Sequence, residues 1–372
     1  MTWMLACLAL VAGVVVVKSR FRRDPPRPVP EPTRAPPAGK GASAAIDAFW
    51  AWWPAFAPRL ASAFETGTAH ALVGELTEKV HAIDARLAWD TGPGLAGARH
   101  HFALSAEGDI ALRVITERWL ARAPAADATW EFYAARQPSR RLEGQAIRVT
   151  GDDAVDFARV QLGLRTDGMR ERVHVELHHP AFARLDEQQR QLAAMLVLDK
   201  TLGEDEVERW IGHIAPSGSA PPEPRRLDEL VEEVKALARS STRENFAIVE
   251  GRRDGHPVVA TFNFALKRVD HLLMEQHLAV SIALEDPTPA GLVTNAEAST
   301  LNALEDELLD QLGHDVVYLG RETGLGVRTI HLHAAPTGPV QARAEAWMRR
   351  HPRRRITVDV AHDPAWTILD RW

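Results

Sequence analysis

From residue 245 onward the apolar and polar positions change period several times, and each change marks an element. Residues 245–250 and 258–266 are rich in β-branched and aromatic side chains and flank Arg253-Asp254-Gly255-His256. An Asp-Gly pair takes positive φ readily, so a β-hairpin is predicted. Residues 277–284 read as a third strand, closed by Glu285-Asp286-Pro287 because proline cannot donate to a ladder in mid-sheet. Thr294 and Glu297 have the spacing of a capping box, which predicts the start of a helix. On that helix Leu301, Leu304, Leu308 and Leu312 form one stripe, while Glu305, Asp306 and Asp310 are assigned to a wet face. Residues 316–319 and 327–333 alternate with period two around Gly320, Gly324 and Gly326 and extend the sheet as a second hairpin. A helix over 340–350 and a strand over 356–360 follow.

Strand, strand, strand, helix, strand, strand, helix, strand is the order of an antiparallel sheet with helices on one face. Residues 245–266, the helix over 295–312, Val317-Tyr318-Leu319-Gly320-Arg321, residues 326–333 and the closing Asp363-Pro364-Ala365-Trp366 carry a resemblance. Together they resemble a bacterial domain family catalogued as being of unknown function, the one numbered 695. The resemblance implies no catalytic residues. It does imply a possible company, since members are sometimes joined to a domain similar to regulator B of ribonuclease E, a ferredoxin-like protein that acts by binding the enzyme.

Upstream, residues 44–64 place Ile46, Phe49, Trp53, Phe56, Leu60 and Phe64 on one helical face, with Pro54 and Pro58 expected to kink or interrupt the helix. The run Phe49-Trp50-Ala51-Trp52-Trp53 is read as packing against a following sheet, with an aromatic membrane-interface or ligand platform as the sharper alternative, the intervening stalk arguing against the membrane version. A helix near 68–85, strands at 86–90 and 101–105, a helix over 109–122 and a strand over 130–136 make an α+β unit. Strands at 146–150, 160–165 and 172–178, a helix over 186–198 and an apolar stretch at 207–214 repeat a similar order. Residues 215–224, Ala-Pro-Ser-Gly-Ser-Ala-Pro-Pro-Glu-Pro, are breaker-rich, and an amphipathic helix with Leu227, Leu230, Val231, Val234 and Leu237 follows.

Residues 2–17 form an uncharged run followed at once by Lys18, Arg20, Arg22 and Arg23. At about 1.5 Å per residue the run spans roughly 24 Å, enough for one crossing if the flanks reach the interface. No basic segment precedes it and no Ala-x-Ala-like site follows, so it is read as an anchor and not as a cleaved signal. The cations place the following chain in the cytoplasm, at a bacterial inner membrane. Residues 24–40 contain seven prolines and read as an extended stalk reaching up to roughly 50 Å.

The expected organisation is therefore a transmembrane anchor (2–17), a basic collar and stalk (18–42), an α+β domain (43–214), a linker (215–225) and a second α+β domain (226–372). Both domains are expected to be antiparallel sheets of ferredoxin-like type with helices on one face.

Charge changes the picture in one respect. The chain carries a formal −6, of which residues 1–42 contribute +5, so the body carries −11. A basic collar suits anionic headgroups, whereas an acidic body is repelled by phosphate backbones, so nucleic acid is not the expected ligand. Cys7 is the only cysteine, which excludes a disulfide framework and a thiolate metal site.

Candidate chemistry is sparse. His331 and His333 stand two apart in a strand and so share a face, where both imidazoles could meet one ion if His362 or Asp359 supplied a third ligand. His100-His101 and His178-His179 have no such spacing. Gly320-Arg321-Glu322-Thr323-Gly324-Leu325-Gly326 lies between two strands and marks a hairpin, not a phosphate cradle. There is no Gly-x-Ser-x-Gly elbow. The run Arg349-Arg350-His351-Pro352-Arg353-Arg354-Arg355 is read as a solvated helix end, with a contact for an acidic protein patch and a phosphate or RNA contact as alternatives, the last weakened by the absence of interleaved aromatics. No catalytic residue, cofactor or resident metal is assigned. The expectation is a single-pass membrane-tethered binding or scaffolding protein. Its alternatives are a regulator of a membrane-associated RNA-processing enzyme and a metal-dependent hydrolase using His331 and His333.

Overall fold

The computed structural model describes residues 15–16, 40–150 and 153–372. The contact pattern divides the chain into two compact units between Ser240 and Ser241. In chain order the described elements begin with a two-residue strand, Val15–Val16 (β1), which pairs in parallel with Ala247 and Ile248 of the second unit. The last described part of the expected anchor over 2–17 is thus a sheet strand and not a membrane helix; the rest of it lies outside the described residues, as do residues 18–39 of the expected collar and stalk. No helix among the described residues is long and apolar enough to cross a membrane.

The first unit opens with Lys40–Thr66 (α1), a single helix that contains both Pro54 and Pro58. The expected interruption does not occur. Each proline forfeits a hydrogen bond, but the helix is held along its length by a buried face of Ile46, Phe49, Trp53, Phe56 and Leu60. Phe49 stacks on Phe102 at 6.0 Å, and Trp50 stacks on Trp119 at 4.6 Å while donating through Nε1 to the Trp119 carbonyl at 2.9 Å. The aromatic run is thus core, which leaves no open platform.

Val73–His81 (α2), Ala88–Pro93 (β2), His100–Ser105 (β3), Arg113–Leu120 (α3) and Trp130–Tyr133 (β4) follow. β2 and β3 form an antiparallel hairpin, and β4 joins β3 in parallel through α3. After the two-stranded ribbon of Ala146–Thr150 (β5) and Asp153–Asp156 (β6), the same arrangement returns. Gln161–Asp167 (β7) and Arg172–His178 (β8) are antiparallel, Glu187–Leu202 (α4) and Glu204–Trp210 (α5) cross over, and Ile211–Ser217 (β9) joins β8 in parallel.

The expectation of an antiparallel ferredoxin-like domain is therefore corrected here. Two small mixed sheets, each with its own apolar core, replace one antiparallel sheet. A helix between hairpin and third strand delivers that strand parallel to its neighbour. The expected boundary at 215–225 also moves: Ile211–Ser217 is a strand, Leu162 and Arg225 exchange backbone hydrogen bonds at 2.8 Å, and Leu227–Ser240 (α6) buries Leu227, Leu230 and Val234 in the core of β7, β8 and β9. Prolines there shape an edge and not a free linker.

The second unit contains Phe246–Arg253 (β10), His256–Asn263 (β11), Gln276–Ala283 (β12), Asn295–Leu312 (α7), Val316–Gly324 (β13), Val327–Ala334 (β14), Val340–Arg350 (α8) and Ile356–His362 (β15). Its sheet runs β1-β10-β11-β13-β14-β12-β15, and every pair except β1 with β10 is antiparallel. The hairpin β13–β14 is inserted between β11 and β12, because residues 264–275 carry the chain over one face before β12 begins. Asp254 and Gly255, and again Leu325 and Gly326, have positive φ, as two-residue hairpin turns require. Gly320 is forced by close approach: a Cβ there would lie 2.2 Å from the Thr261 carbonyl oxygen. A bulge between Tyr318 and Gly320 adjoins it.

The helices α7 and α8 cover one face, with Leu301, Leu304, Leu308, Leu312, Val340, Ala344 and Trp347 packed on Leu278, Val280, Ile282, Ile330 and Leu332. Each such leucine contributes about 1.5–3 kcal/mol. Two expectations about α7 fail. Thr294 occupies the N-cap position without a side-chain hydrogen bond, because the Glu297 carboxylate accepts instead from the backbone of Glu285 (2.8 Å) and Asp286 (3.2 Å) and from Arg354. Glu305 is not on the wet face. It stands four residues after Leu301 and three before Leu308, inside the stripe, and is 3% exposed.

Candidate functional site: stacked histidines beneath a C-terminal strap

The sheet face opposite the two helices carries His331 and His333, and the register brings a third histidine to them. His277 on β12 stands directly across from His333, and Ala279 across from His331. His277 Nε2 lies 3.0 Å from His331 Nδ1. The rings do more than neighbour one another. His331 stacks on Phe262 at 5.5 Å and on His277 at 5.2 Å with an interplanar angle of 11°. His277 leans on His333 at 5.3 Å, and His333 stacks on Trp366 at 4.5 Å. Trp366 in turn stacks on His271 at 6.0 Å, and Trp372 lies against Phe262 at 6.2 Å. A row of seven rings thus crosses the sheet.

Two segments close this face. Residues 264–275 bring Phe264, Val269 and Leu272, and the chain end brings Trp366 and Ile368, all buried. Trp366 Nε1 donates to the Met274 carbonyl at 2.9 Å, and the same oxygen lies 2.9 Å from His333 Nδ1. Trp366 itself is left-handed, with φ 57°, which turns the chain so that its indole lies flat on the imidazole. His331 is 4% exposed and His333 0%.

Burial, reinforced by the neighbouring imidazoles, pushes the His277 pKa down to about 4 and that of His333 to about 3. Both rings are neutral at pH 7. Next to His331, burial would raise the Glu322 carboxyl, but His331 and a two-pronged ion pair from Arg253 (2.9 and 2.9 Å) outweigh it and hold the group at about 2.

The strand pair predicted from spacing is therefore brought together, but its geometry favours packing. A metal ion needs free ring nitrogens that converge on one point, whereas His277 Nε2 and His331 Nδ1 engage each other and His333 Nδ1 faces the Met274 carbonyl. Among the described residues no group of three or more His, Cys, Asp or Glu is arranged to hold a metal ion. The expected third ligands are elsewhere. His362 is one residue out of phase, since Ala361 is the partner of His277, and it bonds Glu275 at 3.1 Å. Asp359 is exposed and accepts from Thr357 at 3.4 Å.

The other histidine pairs are structural. His101 Nδ1 lies 3.1 Å from the Pro93 carbonyl, His178 Nδ1 lies 3.0 Å from that of Ser217, and His179 Nδ1 accepts from the Ala181 amide at 3.1 Å. The glycines of residues 320–326 form the hairpin and its bulge. The basic run is largely neutralised: Arg350 pairs with Glu307 at 2.8 Å, Arg349 with Glu345 at 3.9 Å, and Arg354 with Glu285 at 3.1 Å and Glu297 at 2.6 Å. A helix end so close to acids of α7 spends its cations internally. Arg353 and Arg355 remain, exposed at the start of β15.

Sequence reasoning missed two sets of buried ionic groups. On the helix side of the sheet, Glu305 accepts from the Tyr318 hydroxyl at 2.6 Å and Arg321 at 2.8 Å, with Arg328 at 3.7 Å. In the first unit, Arg113 joins the Ala134 carbonyl (2.7 Å), Asp205 and Glu208 (3.1 Å), while Arg136 joins Glu107 and Asp199 (3.2 Å). Glu305 had a signal, its place in the leucine stripe; the arginines had none, because their partners are up to 95 residues away.

No curated protein and no solved structure matches the chain. Residues 244–370, the sheet unit from the approach to β10 to the strap that seals the ring stack, match the model of a family of unknown function (DUF695).

Proposed function

We propose that this protein is a membrane-tethered binding protein, held at the inner membrane by the N-terminal apolar run ahead of β1 and presenting its two units to the cytoplasm. The apolar run, the cations behind it and the proline-rich spacer support the tether. The observation that carries binding over hydrolysis is the burial of His331 and His333 under the strap, which denies a substrate the one face where imidazoles gather. Surfaces are left to do the work. Among the described residues β15 has a strand on one side only, so its outer edge offers unpaired backbone groups to an added strand. Arg353 and Arg355 at its start carry no ion pair among the described residues, so the partner segment that fits this edge is extended and acidic.

A reporter fused after Trp372 tests the tether: a cytoplasmic signal is expected, and a periplasmic one overturns it. Fluorescence anisotropy with an acidic, strand-forming peptide tests the edge. Binding should fall several-fold in the Arg353→Ala/Arg355→Ala double variant. Tight, salt-sensitive RNA binding with no peptide binding would instead favour a ribonucleoprotein role. Zinc-dependent hydrolysis abolished by His331→Ala would overturn the binding reading.

A further inference from the structure

The helix α4 reverses the usual pattern on its outer side. Its inner face is apolar, with Ala193, Ala194, Val197 and Leu198 fully buried. The outer face should be polar throughout, yet Gln188, Leu192, Met195 and Asp199, spaced four, three and four apart, place two apolar side chains between an amide and a carboxylate. Leu192 is 48% exposed, whereas Asp199 is 3% exposed. An open groove of about 580 Å³ runs along this stripe, walled by Leu192, Met195 and Leu196 and flanked by Glu107 and Glu187, with Asp199 in its lining. Glu107 is set there by the turn after β3, in a left-handed conformation of φ 50° that costs a non-glycine residue about 1–3 kcal/mol.

The charges around Asp199 do not balance. The Arg136 guanidinium is divided between two carboxylates, Glu107 and Asp199 Oδ2, and its backbone amide donates to a third, Glu204 Oε2, at 3.1 Å. The other Glu204 oxygen accepts from the Ala106 amide at 3.1 Å. Asp199 Oδ1, in contrast, is buried with no hydrogen-bond partner among the described residues. A buried carboxylate oxygen without a donor is costly, on the order of 1–3 kcal/mol or more when charged. The groove therefore combines an apolar wall with an unmet need for a cationic donor.

We propose that this groove binds the ammonium head of an aliphatic amine, with the head directed to Asp199 and Glu107 and the methylene stem along Leu192, Met195 and Leu196. The apolar wall argues for an amine over a metal ion, which would want six or more oxygen ligands in the case of calcium. The shared chemistry is an alkylammonium, from a free amine or from a lysine side chain. Geometry carries this; titration agrees with it. Burial, added to by Glu204 and Glu107 and opposed by Arg136, raises the Asp199 pKa to about 7. Binding should accordingly tighten between pH 6 and 8 as the carboxyl ionises, with Glu187 and Glu107 in the lining and the buried Glu204 behind Asp199 adding to the attraction and Arg136 opposing it.

Calorimetric titration of the full chain with hexylamine should show saturable binding, weakened at least tenfold in Asp199→Asn and not competed by hexanol. A parallel titration with Nα-acetyl-lysine methylamide separates the sources: tighter binding of hexylamine marks a free amine, and tighter binding of the lysine derivative marks a partner's side chain. Met195→Lys provides a second variant should Asp199→Asn fail to fold. Its ammonium stands four residues before Asp199 and should occupy the groove, abolishing hexylamine binding while the circular dichroism is unchanged. The proposal is overturned by an absence of saturable binding, by equal binding to folded Asp199→Asn or to Met195→Lys, by competition from hexanol, or by calcium binding without amine binding.

Discussion

Glu305 and Asp199 are both buried acids on long helices, and they have opposite fates. Glu305 has a tyrosine hydroxyl and two arginines around its two oxygens, so the acid completes the packing of α7 on the sheet. Tyr318, buried beside the carboxylate, has its own pKa pushed above the ordinary phenol value by burial and by that negative neighbour. Asp199 shares one guanidinium with Glu107, lies beside a third acid, Glu204, and keeps an oxygen unmatched among the described residues. Burial alone therefore does not tell a structural carboxylate from one that awaits a ligand. The count of donors around it does.

The largest expected effect breaks the satisfied member of the pair. Glu305→Ala leaves Arg328 buried without its counter-charge and should cost about 3–5 kcal/mol in urea unfolding, whereas Glu305→Gln, which keeps an acceptor for Tyr318, should cost less. A loss under about 1 kcal/mol for the alanine variant would show that the network contributes no net stability.

Acid should next separate the two units. His277 and His333 have folded pKa values of about 4 and about 3, below the ordinary 6.5, so the unfolded chain gains protons first as pH falls. The sheet unit should be fully stable above about pH 6.5 and lose on the order of 2 kcal/mol per histidine by pH 5. Asp199 has the opposite sign: with its folded value near 7 against an ordinary 3.8, the first unit should gain stability as pH falls from about 7 toward 4. Hydrogen exchange at pH 7.5, 6 and 5 reads both units in one sample. Parallel pH slopes in the two would refute the contrast.

Smaller still, Asp199→Asn should stabilise the first unit by about 1–2 kcal/mol at pH 8, because it removes a buried charge that Arg136 only partly offsets. Destabilisation there would mean that the Arg136 pair outweighs burial. The smallest change is expected for Arg353→Ala with Arg355→Ala, within about 0.5 kcal/mol in thermal melts, against a clear loss for Arg354→Ala, whose guanidinium bridges two acids.

Much of the sheet unit was legible because its signals are local. The positive-φ turn at Asp254-Gly255, the glycines of the second hairpin, the period-two runs on either side of them and the leucine stripe of α7 each express a short-range preference of the backbone. The first unit was less legible for the converse reason. Its third strands run parallel to the second through crossing helices, and its helix α1 keeps two prolines that local rules would place at a break.

By itself the sequence determined most strands, turns and helices of the sheet unit, that His331 and His333 share a face, and that a single cysteine leaves no disulfide framework. Tertiary structure alone decided what that shared face does. Strand register set His277 across from His333, the chain end returned to lay Trp366 on the stack, and a row that could have met a metal ion became a sealed packing layer. It also decided that Glu297 caps no helix of its own but holds Arg354, and that three acids converge on Arg136. These outcomes depend on residues tens of positions apart meeting in a low-dielectric interior, where one missing donor outweighs any local propensity.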